Sequence, residues 1–209
     1  MAQSAVKDNI LTPANIVTLV RILLIPVFVA VLVSPWPALT ENLPLWGSLQ
    51  PWIAALVFVG ISATDAVDGY LARSRNQVTD FGKFLDPLAD KILVCAALLG
   101  LVELQLLPSW IALIILAREF IVSGLRMLAA TQGVVVAASW YGKVKTVSQI
   151  VAIIAFIIKD TVQLQAVGEA FAAAFNGFAW LAMLVAVVMT IVSMIDYFAK
   201  CRGLFGIER

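Results

Sequence analysis

Aspartates gather in one stretch of a chain that is otherwise largely apolar. The stretch runs from Thr64 to Lys91 and is written TDAVDGYLARSRNQVTDFGKFLDPLADK. Asp65 and Asp68 are three residues apart, and Asp86 and Asp90 are four apart, so within helices each pair shares one face. Two helices joined by a short loop would then direct four carboxylates at one point.

Such a cluster of carboxylates needs a compensating charge. Like charges repel one another, and a charge close to hydrocarbon is costly, so a divalent cation is the natural partner. The chain contains no histidine, and oxygen ligands without histidine or thiolate favour Mg²⁺ or Mn²⁺, with room for two ions. Asp80 breaks the paired spacing and is more typical of a helix cap.

Small residues and an arginine lie beside these aspartates. Gly69 and Gly82 permit close approach of backbone or ligand, and the small side chain of Ala72 leaves space on the same helix face. Arg73 offers a forked donor that suits phosphate oxygens. Together with the carboxylates, this combination predicts a site for a metal-bound diphosphate.

The rest of the chain is too apolar for a water-soluble domain. Of its 209 residues, 62% are hydrophobic and 13% are charged, and the mean hydropathy is +1.00. These values indicate an integral membrane protein. The net charge of +1 argues against a large basic surface for nucleic acid. Cys95 and Cys201 lie far apart without a CxxC motif, which favours structural thiols over zinc ligands or a disulfide framework.

Six apolar stretches each approach the roughly 20 residues that a helix needs to cross hydrocarbon. We therefore predict an all-α, polytopic membrane protein with six transmembrane helices. Residues 1–209 would form a single domain, in which residues 1–14 are a short cytoplasmic N-terminal segment. The predicted spans are Asn15–Val33, Pro51–Leu71, Leu85–Leu107, Ser109–Ala130, Lys143–Ile158 and Phe175–Phe198.

Lysine and arginine are concentrated at alternate connections between the predicted spans. They lie before and within the start of the first span, between the second and third, around the connection from fourth to fifth, and at the C-terminus. The other connections hold Glu41, Glu103 and the mixed group Lys159, Asp160 and Glu169. Cytoplasmic loops accumulate cations, so both termini and the aspartate stretch are predicted to be cytoplasmic.

The CDP-alcohol phosphotransferases have a signature that this stretch resembles at all eight positions. It is Asp65-x-x-Asp68-Gly69-x-x-Ala72-Arg73, then eight residues, then Gly82-x-x-x-Asp86-x-x-x-Asp90. The resemblance implies a six-helix membrane enzyme, usually a homodimer, in which an alcohol attacks a CDP-linked lipid and CMP is released. It also implies that the four aspartates bind two metal ions, and that Asp90 is the base that deprotonates the acceptor hydroxyl.

The same resemblance implies a set of residues that bind the donor. The segment LTPANIVTLVR, from Leu11 to Arg21, resembles the N-terminal segment of the family, in which Asn15 and Thr18 would reach the nucleotide. A Thr-Pro start followed by Asn is also an ordinary helix entry. The residues implied to pack around the cytidine and diphosphate are Gly69, Ala72, Arg73, Thr79 and Gly82.

A second cationic region predicts the acceptor. The segment LAREFIVSGLRMLAATQGVVVAASWYGKVKT carries Arg118, Arg126, Lys143 and Lys145, more positive charge than a neutral polyol or amino alcohol needs. A phosphorylated acceptor fits, and the segment resembles the members of the family that use glycerol 3-phosphate. Alternatively, these cations only mark the cytoplasmic side and contact anionic headgroups.

The resemblance implies transfer of the phosphatidyl group of CDP-diacylglycerol to glycerol 3-phosphate. It also implies that membrane lipids surround the protein. Within the same family, a phosphatidylinositol-phosphate or cardiolipin synthase is the alternative, and the Arg118–Lys145 segment disfavours both. From another class, a cation transporter would also place aspartates in a membrane. That alternative needs acids distributed across the membrane depth, whereas these gather at one end of two spans.

Overall fold

The computed structural model describes residues 13–33, 44–74, 80–132 and 140–201, with side chains described for residues 16–33, 48–64, 88–132 and 140–201. This part of the chain is helical and contains no strand, so the all-α prediction is confirmed for it. The helices are α1 Pro13–Val33, α2 Pro44–Ser74, α3 Asp80–Glu103, α4 Ser109–Thr131, α5 Trp140–Ile158, α6 Val162–Val167 and α7 Glu169–Lys200.

The predicted end of the third span is wrong, because α3 ends at Glu103 rather than at Leu107. Gln105 has a positive φ of 58°, and the backbone N–H groups of Leu106 and Leu107 both donate to the Leu101 carbonyl. These bonds close a turn. Leu107 is 3% exposed, so its apolar side chain belongs to the core and does not continue the helix.

Three helices in the described part of the chain are long and apolar enough to cross a membrane. Their spans are Ile16–Val33, Trp140–Ile158 and Glu169–Lys200, and a shorter apolar segment, Ser48–Thr64, lies within α2. The chain is thus a membrane protein with several candidate spanning helices. The count of six spans and the cytoplasmic termini stay predictions.

Aromatic pairs form contacts between the helices, and Gly100 lies at a close contact between two of them. Phe28 on α1 and Phe58 on α2 have ring centroids 5.6 Å apart, and Phe156 on α5 and Trp180 on α7 are 5.1 Å apart. At Gly100 on α3, an added Cβ would lie 2.6 Å from Leu32 Cδ2 on α1. Gly100 therefore permits the close approach of α1 and α3 within the chain.

The helix contacts bring the two chemically interesting regions of the sequence together. α3 contacts α2, α4 and α5, and α4 contacts α7. The helix that carries Asp86 and Asp90 thus packs beside the helices that carry the candidate acceptor cations.

Candidate active site

The paired aspartates lie on two neighbouring helices. Asp65 and Asp68 lie toward the C-terminal end of α2, and Asp86 and Asp90 lie in the first half of α3. Their helical backbone places each pair on one helix face, as the spacing predicts. The side chains of Asp65, Asp68 and Asp86 lie outside the described residues, whereas Asp90 is described and half-buried.

Most predicted donor-binding residues fall where only the helical backbone is described. Gly69, Ala72 and Arg73 lie on α2, Gly82 lies on α3 and Asn15 lies on α1, and their side chains lie outside the described residues. Thr79 lies outside the described residues altogether. Thr18 is described and fully buried on α1.

A hydrogen bond from Arg21 joins α1 to the first residue of the aspartate stretch. Its side chain is 2% exposed, and its Nε donates to Thr64 Oγ1 at 3.1 Å. Thr64 in turn donates to the Ile61 carbonyl at 2.6 Å and immediately precedes Asp65. In the sequence, Arg21 is one of the cations at the start of the first predicted span, which indicate the cytoplasmic side. An arginine inside an apolar helix was the signal that it has a partner.

A cleft lies among α2, α3, α4 and α5, and we name it the α3–α5 cleft. It brings together two of the predicted site residues, the candidate base Asp90 and the candidate acceptor ligand Lys145. Its polar side chains include Ser62, Asp90, Lys91, Glu119, Lys145 and Gln149.

Two buried cations and one largely buried carboxylate meet at one wall of this cleft. The Lys145 ammonium donates a hydrogen bond to Glu119 Oε1, and Arg118 Nη1 lies 3.4 Å from the same oxygen. Burying a charge is costly unless it is paired, yet two cations here share one carboxylate. The cluster of Arg118, Glu119 and Lys145 therefore carries an excess positive charge, which suits an anionic ligand.

The last long helix positions both arginines of α4. Arg118 Nη2 donates to Ser193 Oγ, and Arg126 Nε donates to the Tyr197 hydroxyl at 3.2 Å. The two guanidinium carbons lie 5.9 Å and 5.2 Å from the centroid of the Tyr197 ring, within the range of cation–π contacts. Ser193 and Tyr197 are fully buried, and α7 therefore holds the two arginines in place.

The four predicted acceptor cations occupy different environments. Lys145 lines the cleft and Arg118 contacts its Glu119 wall. Arg126 is eight residues further along α4, about 12 Å along the helix axis. Lys143 is exposed and lies about 200° around α5 from Lys145, so the two lysines point in different directions.

Sequence reasoning missed several residues of this region. Glu119 and Gln149 line the cleft, and Ser193 and Tyr197 contact the arginines. For the last two, a signal was present: they are polar, four residues apart and therefore on one face of an otherwise apolar helix. Glu119 lies next to Arg118 in the sequence, but its pairing with Lys145 depends on how α4 and α5 pack.

The sequence is similar to known proteins over almost its whole length. A family model described as CDP-alcohol phosphatidyltransferase matches residues 11–195. A Bacillus subtilis (strain 168) CDP-diacylglycerol–glycerol-3-phosphate 3-phosphatidyltransferase is 44% identical over 191 residues, covering 89% of this chain and 93% of that protein. A protein of the same name from Salmonella typhimurium is 38% identical, covering 90% of this chain and 94% of that protein. A probable phosphatidylglycerophosphate synthase of Mycobacterium tuberculosis (strain H37Rv) is 36% identical, covering 99% of this chain and 90% of that protein.

Proposed function

The chain belongs to the CDP-alcohol phosphatidyltransferase family, and we propose that it transfers the phosphatidyl group of CDP-diacylglycerol to glycerol 3-phosphate. The products are phosphatidylglycerophosphate and CMP. The names of the similar proteins support both the reaction and its two substrates. The structural observation that carries the proposal is the α3–α5 cleft, in which Asp90 and a buried cationic cluster line one space.

The proposal includes two divalent ions, Mg²⁺ or Mn²⁺, held by Asp65, Asp68, Asp86 and Asp90. The residues present fit such ions, because two helices each place a pair of carboxylates on one face and hard cations prefer oxygen ligands. When bound, the ions neutralise the diphosphate and stabilise the departing CMP.

The donor lies at the end of α2 and the start of α3. Gly69, Ala72 and Gly82 leave space beside the diphosphate, and Arg73 donates to its oxygens. Asn15 and Thr18 on α1, with Thr79, contact the nucleotide. The bond from Arg21 to Thr64 supports this arrangement, because it joins α1 to the residue before Asp65.

The acceptor enters the α3–α5 cleft with its phosphate toward the cationic cluster. Lys145 and Arg118 hold the phosphate by charge-assisted hydrogen bonds. Arg126 and the exposed Lys143 add positive charge farther from the cleft. This arrangement leaves a hydroxyl of glycerol 3-phosphate free to approach Asp90.

Asp90 then acts as the base of the transfer. It takes the proton of the attacking hydroxyl while the hydroxyl oxygen forms a bond to the phosphorus of the phosphatidyl group. The bond between that phosphorus and the oxygen of CMP breaks, and CMP leaves with the electron pair. Binding of the acceptor phosphate by Lys145 and Arg118 positions the acceptor beside the donor. The reaction between the two bound substrates then becomes effectively unimolecular.

The proposal also places the enzyme in the cell membrane as a multi-pass protein. Its active site faces the cytoplasm, where CDP-diacylglycerol headgroups and soluble glycerol 3-phosphate meet. The concentration of cations at one set of connections supports this orientation. A homodimer, as the family resemblance implies, belongs to the same proposal.

The function is tested by measuring CMP release from purified protein supplied with CDP-diacylglycerol and separate acceptors. Glycerol 3-phosphate should give rapid release and phosphatidylglycerophosphate as the lipid product. Inositol phosphate, phosphatidylglycerol and plain glycerol should each give much less. Faster release with any of these three than with glycerol 3-phosphate would replace the proposed acceptor. Absence of CMP release with every acceptor would overturn the reaction class.

A further inference from the structure

Gln149 has a buried side chain whose polar atoms are unpaired in the described part of the chain. It is 2% exposed, and neither Oε1 nor Nε2 has a hydrogen-bond partner among the described residues. Buried polar groups are almost always paired, and an unpaired one destabilises the folded state. Such an amide is available to a partner beyond the described residues, such as a bound ligand.

The position of Gln149 indicates where that partner lies. Gln149 follows Lys145 by four residues on α5, so the two side chains share one face of the helix. Both line the α3–α5 cleft, together with Asp90 and Glu119. Thr146 also lines the cleft, but its hydroxyl donates to the Gly142 carbonyl at 3.1 Å. The amide of Gln149 thus offers both a donor and an acceptor beside the charged groups.

We infer that Gln149 recognises the middle hydroxyl of glycerol 3-phosphate and so determines acceptor specificity. The inference rests on the proposed function. Glycerol 3-phosphate carries three polar groups in a row: the phosphate, the middle hydroxyl and the terminal hydroxyl that attacks. With the phosphate at Lys145 and the attacking hydroxyl at Asp90, the middle hydroxyl lies between them, where the Gln149 amide lines the same cleft with both polar atoms unpaired among the described residues.

A primary amide matches that hydroxyl chemically. A hydroxyl donates one hydrogen bond and accepts others, and a glutamine side chain can accept at Oε1 and donate from Nε2. A site built to hydrogen-bond a substrate hydroxyl disfavours an analogue that lacks it, because the polar group of the site is then left unpaired. Gln149 would therefore distinguish glycerol 3-phosphate from phosphorylated alcohols without a middle hydroxyl.

The experiment compares two acceptors in three proteins. The acceptors are glycerol 3-phosphate and 3-hydroxypropyl phosphate, which keeps the phosphate and the terminal hydroxyl but lacks the middle one. The proteins are wild type, Gln149→Met, which keeps the length of the side chain without its polar atoms, and Gln165→Met. Gln165 is an exposed glutamine on the short helix α6 and serves as the control.

We expect wild type to prefer glycerol 3-phosphate by about tenfold or more in kcat/KM. Gln149→Met should lower kcat/KM for glycerol 3-phosphate to about the value for 3-hydroxypropyl phosphate, and should leave the latter value within about threefold. The KM for CDP-diacylglycerol should not change. Gln165→Met should behave as wild type with both acceptors.

Thermal unfolding separates recognition from a structural role. Because Gln149→Met removes an unpaired buried amide, its Tm should equal or exceed that of wild type. An equal loss with both acceptors, or a lower Tm together with such a loss, would show that Gln149 supports the fold and would overturn the inference. Unchanged discrimination would overturn it as well. If wild type releases no CMP with glycerol 3-phosphate, the proposed function itself fails, which is a different result.

Discussion

The Lys145 ammonium on α5 donates a hydrogen bond to the Glu119 carboxylate on α4, and the two side chains are only 6% and 12% exposed. A buried ion pair is costly to break from one side, because the remaining charge stays buried without a partner. Arg118 contacts the same carboxylate. Glu119 is therefore the anion that two buried cations share when no acceptor phosphate is bound.

Glu119→Gln should destabilise the protein by about 3–5 kcal/mol and lower its Tm by on the order of 10 °C. Glycerol 3-phosphate should restore more of the lost Tm in Glu119→Gln than it adds to wild type, because its phosphate replaces the missing anion. Glu103→Gln is the control: it makes the same substitution at an exposed glutamate at the end of α3, and its Tm should change little. An unchanged Tm in Glu119→Gln would show that the buried pair does not stabilise the fold.

Tyr197→Phe removes the hydroxyl that accepts from Arg126 and keeps the ring that both arginines contact. Because Arg126 would then lose its fixed position, we expect the KM for glycerol 3-phosphate to rise about fivefold, with the KM for CDP-diacylglycerol unchanged. Tyr141→Phe, at an exposed tyrosine of α5, should have no effect. Equal changes in the KM of donor and acceptor would show that Tyr197 acts only on the fold.

Asp65→Asn, Asp68→Asn and Asp86→Asn should each abolish turnover and weaken donor binding, because each removes a proposed ligand of the divalent ions. EDTA should inactivate wild type, and added Mg²⁺ or Mn²⁺ should restore activity. Asp196→Asn, which removes a carboxylate of α7 that pairs with Lys200, is the matched control and should stay active. Full wild-type activity in metal-free buffer would contradict the two-ion proposal.

Asp90→Asn distinguishes a base from a ligand. Loss of the proposed proton acceptor should lower the rate by roughly 10²–10⁴-fold, whereas the other three proposed metal ligands should still support donor binding. Single-turnover CMP release and CDP-diacylglycerol binding, measured separately, should show a far larger loss of rate than of affinity. A rate near that of wild type would show that another group accepts the proton of the attacking hydroxyl.

The positions of the long helices were predictable, because about 20 apolar residues in a row identify a spanning helix without knowledge of its neighbours. The end of α3 was not, since Leu104, Leu106 and Leu107 are as apolar in a turn as in a helix. Gln105 takes a positive φ there, which no apolar pattern indicates.

The residue types of the site were predictable in the same local way. Paired carboxylates at helical spacing predict a metal site from the sequence alone, and the two-ion site stays a proposal. The partners of single charges were not, because Lys145 is 26 residues from Glu119 and Tyr197 is 71 residues from Arg126, and each pair comes into contact only in the folded chain. In the sequence alone, Lys143 and Lys145 are equivalent cations. In the structure Lys143 is exposed and Lys145 lines the cleft.

That difference between two lysines gives the most direct test of the account, which holds that buried charge in the α3–α5 cleft selects a phosphorylated acceptor. The measurement is the ratio of kcat/KM for glycerol 3-phosphate to that for plain glycerol, in wild type, Lys145→Met and Lys143→Met. Lys145→Met should lower this ratio by about 10- to 100-fold, as expected for a lost charge-assisted hydrogen bond. Lys143→Met removes the same charge from an exposed position and should lower it by less than about fivefold. Equal effects of the two substitutions, or a ratio that Lys145→Met leaves unchanged, would contradict the account.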